Sequence, residues 1–173
     1  MNYKKIYKYT KLKRWVKDHC EDVTYKYTNN EIENYKTPTR EEGYADDSST
    51  ESDELYATFI QKCIGGVVEM KKRGGADYNW NFLGETKEWE KKAPRRFSSI
   101  SNRVRDAYKQ LSSAKKIGGL FFDLDRLEDC SYKEAIWKTL SELEQKGGVF
   151  RGRCFDVIFT ANNKVIIAYR IKK

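Results

Sequence analysis

The sequence predicts an α+β fold whose C-terminal part runs helix, strand, helix, helix, hairpin behind an N-terminal mixed α/β extension. Three observations predict it. Ser131 and Glu134 form an S-x-x-E capping box, in which serine oxygen and glutamate carboxylate satisfy two orphan amides at a helix start. Tyr132, Ile136, Leu140 and Leu143 then fall on one helical stripe. From Phe155 the period changes to two: Phe155, Val157 and Phe159, then Val165, Ile167, Tyr169 and Ile171, flank Asn162–Asn163, which reads as a β-hairpin turn.

Taken in order, the C-terminal elements begin after Pro94, a natural boundary. Ile100, Val104, Ala107 and Leu111 give a first helical stripe, with Ser98 or Ser99 as its cap. Gly118–Phe122 is a short apolar run that suits a strand. Leu124 and Leu127 suit one short helix before a turn at Asp129–Cys130. The capped helix begins at Tyr132 and stops at Gly147–Gly148, since glycine accepts the left-handed conformation of a helix end.

This order, carried by Phe121, Leu124, Leu127, Ser131, Ile136, Leu140, Leu143, Gly147, Val149, Arg151 and the hairpin, resembles a winged helix-turn-helix domain over residues 98–173. The resemblance implies that the capped helix is a recognition helix, the hairpin a wing and duplex DNA the partner. Lys133, Lys138 and Gln145 would then face bases or backbone, because lysine reaches guanine and glutamine pairs with adenine. Glu134, Glu142 and Glu144 offset Lys133, Lys138 and Lys146, so this helix has no net positive charge to set against phosphates. The surplus lies at Lys91, Lys92, Arg95, Arg96, Arg103 and Arg105, and around the wing at Arg151, Arg153 and Lys164. Backbone contact from those positions fits nucleic-acid binding in a regulatory or replication-accessory role, of a kind found in viruses and mobile elements. The same distribution suits a winged helix that docks on a protein, or inhibits one, and both readings stand.

The preceding segments differ in composition. Residues 1–40 are basic and aromatic: Lys4, Lys5, Lys8, Lys11, Lys13, Arg14 and Lys17 interleave with Tyr3, Tyr7, Tyr9 and Trp15, a pattern that serves either base stacking or docking. Val23, Tyr25 and Tyr27 alternate as in a short strand. Residues 41–54 hold seven acids and no base, which reads as a solvated loop or as an acidic flap over a basic groove. Residues 55–97 open with a helical stripe, Asp53 its candidate cap and Gly74–Gly75 its stop. Gly65–Gly66 either weakens that helix or breaks it. Tyr78, Trp80 and Phe82 alternate as in a strand, for a core role or an aromatic platform.

Composition sets the remaining bounds. The chain has 173 residues, 39% apolar and 14% aromatic, enough for a buried core. Its net charge of +8 favours a polyanion. No apolar run nears the ~20 residues of a membrane span, and the N-terminus lacks a signal-peptide pattern, so an intracellular protein is expected. Cysteines 20, 63, 130 and 154 are scattered and His19 is the only histidine, so neither a metal nor a cofactor is expected. Asp123 and Asp125 could hold a divalent ion, or simply start a helix. No catalytic triad or phosphate-binding glycine motif is present, and an enzyme is not expected.

Overall fold

The computed structural model describes residues 3–32, 36–145 and 154–172, with side chains from Tyr9 onward. Among these residues, five α-helices flank one eight-stranded sheet. The helices are α1 (Tyr3–His19), α2 (Tyr25–Thr28), α3 (Thr50–Phe59), α4 (Ile100–Leu111) and α5 (Tyr132–Gln145). The strands are β1 (Cys20–Asp22), β2 (Thr39–Arg40), β3 (Val67–Met70), β4 (Tyr78–Phe82), β5 (Glu85–Lys92), β6 (Ile117–Asp123), β7 (Phe155–Ala161) and β8 (Lys164–Ile171). Their spatial order is β1-β8-β7-β6-β5-β4-β3-β2. β3, β4 and β5 form an antiparallel meander, whereas β5, β6 and β7 run parallel through the crossovers α4 and α5.

Alternation along the strands divides the core into two layers. Leu120 and Phe122 of β6, with Val157 and Phe159 of β7, meet Val104 and Leu111 of α4, Leu140 and Leu143 of α5 and Leu12 of α1. Phe121 of β6 and Ile158 of β7 point the other way, against Tyr56 and Phe59 of α3, Tyr27 of α2, and Trp80 and Trp89. Parallel strands covered on both faces read as continuous apolar runs. That is why Leu120, Phe121 and Phe122 are all fully buried. Gly119 lets β6 approach β7: a Cβ there would stand 1.8 Å from the Asp156 carbonyl oxygen.

Two local expectations match this structure closely. Ser131 and Glu134 form the reciprocal cap at the start of α5, with Glu134 N–H donating to the serine oxygen at 3.2 Å and Ser131 N–H to the glutamate at 2.9 Å. β7 and β8 form the hairpin, and Asn162 and Asn163 both take positive φ at its turn.

The winged helix-turn-helix is not the fold. One large mixed sheet replaces it, and the expected wing lies inside that sheet. β7 is buried at all seven positions, because it pairs with β6 and β8 and is covered on both faces. A wing would keep one face in water. Strand pairing, which local periodicity does not encode, decided the outcome.

Smaller corrections follow the same logic. Residues 124–129 form turns rather than a helix, and Val23–Tyr27 leads into the short helix α2 instead of a strand. Asp53 lies inside α3, whose cap position is Ser49. That helix passes through a π-turn at Ile60–Ile64 and stops at Gly65–Gly66, both at positive φ, so the glycine pair breaks the helix. The acidic stretch is partly helical and ion-paired, since α3 begins inside it. The Gly147–Gly148 stop lies outside the described residues. Among the described residues, no helix is long and apolar enough to cross a membrane.

Candidate active site at the carboxyl end of the sheet

Parallel strands leave their carboxyl ends on one edge, the usual place for a ligand in an open α/β sheet. Here the end of β5 lies between α3 and α4, and successive side chains of Glu90, Lys91 and Lys92 point to alternate faces. The antiparallel register places Tyr78 opposite Trp89, which sets Asp77 opposite Glu90.

The result is a cleft of about 310 Å³, whose lining includes Asp53, Asp77, Glu90, Lys91 and Lys92. Lys92 Nζ lies 2.5 Å from Glu90 Oε1. Asp77 Oδ2 accepts the Lys91 backbone N–H at 2.9 Å, and the Asp77 backbone N–H faces the Glu90 carboxylate. Gln110 of α4, with its carboxamide nitrogen turned towards Glu90, donates to both carboxylate oxygens at 2.6 and 3.0 Å. On the other face, Lys91 Nζ meets Asp53 Oδ1 at 2.9 Å, and Arg73 Nη1 meets Asp53 Oδ2 at 2.8 Å. Arg73 is also held by Asp47 and by Tyr44 of the acidic segment.

Electrostatics single out the two central acids. Glu90 is fully buried, and desolvation followed by the charge of Asp77 pushes its pKa up to about 8. Burial also raises Asp77, with Asp53 adding like-charge repulsion. Two desolvated acids, one raised further by the charge of the other, stand beside a lysine in a cleft, and this makes them the candidate functional groups here. Among the described residues, no three His, Cys, Asp or Glu side chains stand close enough to cage a metal alone. Magnesium does not require such a cage: it keeps several waters and binds through one or two carboxylates plus substrate phosphate.

The candidate residues read from sequence are dispersed. Lys91 and Lys92 line the cleft, their side chains 9% and 11% exposed, so they are engaged in ion pairs there. Arg95 and Arg96 are exposed just beyond β5, and Arg95 shares a shallow groove with Arg126. Arg103 and Arg105 are exposed on α4, Lys133 and Gln145 on α5, and Lys164 at the β7–β8 turn. Lys138 is tied to Glu142 at 2.7 Å, and Glu142 is buried. Arg151 and Arg153 lie outside the described residues. Neither Asp77 nor Glu90 belongs to a motif in the sequence. One signal could have found Glu90, an acid alternating with Trp89 inside a strand-forming run.

Comparison with family models, with curated proteins and with solved structures gives no match.

Proposed function

We propose that this protein is a divalent-cation-dependent hydrolase of phosphodiester bonds in nucleic acid, with Asp77, Glu90 and Lys92 as its catalytic residues. The observation that carries the reading is the Asp77–Glu90 pair, desolvated and face to face beside Lys92 at the carboxyl end of the sheet. A magnesium ion would relieve the repulsion between these carboxyls, bind a phosphate oxygen and supply a water of lowered pKa. Lys92 would face the charge that gathers on the phosphate oxygens while a water oxygen bonds to phosphorus and gives up its proton to solvent, and the ester oxygen leaves and takes a proton from solvent. Gln110 holds the Glu90 carboxylate in place.

The choice of nucleic acid rests on charge. The chain is strongly basic, and exposed Lys72, Arg95, Arg96 and Arg126 lie on segments that surround or adjoin the cleft. Phosphate neutralisation by such residues supplies most nonspecific affinity. The partner is then the polyanion expected from sequence, met at the sheet edge, and the protein is an enzyme, contrary to the expectation from sequence.

The test is cleavage of supercoiled plasmid and of labelled single strands with magnesium or manganese. Asp77→Asn, Glu90→Gln and Lys92→Met should each lower the rate about a thousandfold, the equivalent of ~4 kcal/mol of lost transition-state stabilisation. Chelation should abolish cleavage. Metal-dependent cleavage that survives Glu90→Gln at the wild-type rate refutes this assignment.

A further inference from the structure

Beside the catalytic cleft lies a second, larger cavity of about 520 Å³, within the ~300–1,000 Å³ range of pockets that hold small organic groups. Leu55 of α3 stands at its mouth, 65% exposed, and Tyr56 lies in its wall. Asp123 ends β6, Asp125 follows in the next turn, and Asn163 of the β7–β8 turn closes the far side. The two cavities share a boundary. Lys91 Nζ, which binds Asp53 of the cleft, lies 5.3 Å from the centre of the Tyr56 ring and 3.5 Å from Ser52 Oγ.

Two acceptors in this cavity remain open. Asp123 Oδ1 accepts the Asp125 N–H at 3.0 Å, and Asp125 Oδ1 accepts the Asn162 N–H at 2.6 Å. Those bonds fix both carboxylates, while Oδ2 of each has no hydrogen-bond partner among the described residues. Asp123 is half-buried, and its pKa is raised by desolvation and then by the Asp125 charge. An occupant that donates N–H groups would relieve both penalties. The Tyr56 hydroxyl is already bound to Thr160 at 2.6 Å, so the ring contributes apolar surface rather than a donor.

We propose that this cavity receives one unpaired nucleobase carrying an exocyclic amino group, held through Asp123 and Asp125, next to the phosphate in the cleft. The proposal rests on the nucleic-acid reading of the cleft and extends it to substrate class. Carboxylates accept from the cytosine N4 amino group, which thymine lacks. In a continuous duplex the Watson–Crick edge is occupied, so the fitting substrate is single-stranded or locally opened.

The test is fluorescence anisotropy of the full chain with labelled oligo-dC and oligo-dT of equal length, in chelator and at fixed salt. Wild type should bind oligo-dC about tenfold more tightly, and annealing to the complement should remove that advantage. Asp123→Asn with Asp125→Asn should bring the dC:dT ratio to about one while leaving oligo-dT affinity within about twofold. Asp125→Asn alone, at an exposed position, keeps the test open if the double variant fails to fold, and should lower the ratio by several-fold. A wild-type ratio of one, binding to neither strand, or a preference that survives both substitutions overturns the proposal. Because binding is read without metal, a dC preference in a protein that never cleaves would sink the hydrolase assignment and leave the base pocket standing.

Discussion

Two buried carboxylate clusters sit at opposite ends of the sheet, and they are built differently. Near the amino end of β7, Asp156 is bracketed by Arg170, whose Nε and Nη2 reach its two oxygens at 2.7 and 2.9 Å, and by the Tyr27 hydroxyl. One acid meets one guanidinium and one donor. At the carboxyl end, Asp77 and Glu90 face each other with Asp53 near, and their pKa values rise. A bidentate arginine–carboxylate pair is self-sufficient. Two desolvated acids side by side are not, and the cost of ionising them both is the reason to assign a ligand to one end only.

The largest effect expected in stability comes from the matched cluster. Asp156→Asn removes one partner of a mostly buried pair and should cost about 3 kcal/mol in urea unfolding. Cation affinity, read by calorimetry, should not change. Asp77→Asn should do the reverse, abolishing cation binding while stability stays within about 1 kcal/mol or rises. Equal destabilisation by the two substitutions would erase the distinction between the clusters.

Acid–base behaviour sharpens the contrast. Glu90 binds its proton more tightly when folded, up to about pH 8 against an ordinary 4.5. Its contribution to stability is therefore complete below pH ~4.5 and is lost as pH rises through 8. Between pH 5 and 8.5 the metal-free melting temperature should fall more steeply for wild type than for Glu90→Gln. Magnesium or manganese, which binds the ionised form, should recover part of that loss at pH 8. Parallel melting curves would mean that Glu90 does not titrate in this range.

The smallest effect calibrates the other two. Ser131→Ala removes the cap of α5, far from either cluster in the chain, and should cost ~1 kcal/mol, or about 2–4 °C in a chain of this size. Cation affinity and cleavage should be untouched. A shift in either would show that stability loss alone moves those readouts.

What could be read from sequence was local. The α5 cap, the stripe Ile100–Leu111, the strand at Gly118–Phe122 and the Asn162–Asn163 turn each depend on residues within a few positions of one another. The sheet order does not. β6 finds β7 through a crossover of some 30 residues, and β1 finds β8 across almost the whole chain. The candidate site failed to appear for the same reason: Asp77 and Glu90 are thirteen positions apart and become neighbours only through the β4–β5 register. Even so, the apolar run Leu120–Phe122, without alternation, already carried the mark of a strand buried on both faces.

The pairing of β1 with β8, Cys20 against Ile171, gives the chain a late closing step during synthesis. While the ribosome still holds residues 155–171, the flank of β6 that β7 will cover stays open to foreign strands. β4 and β5 can already be joined by then, so the acids of the cleft meet before the sheet that buries them is finished. A chaperone that shields this nascent edge should raise the yield of folded protein more than any change in the cleft.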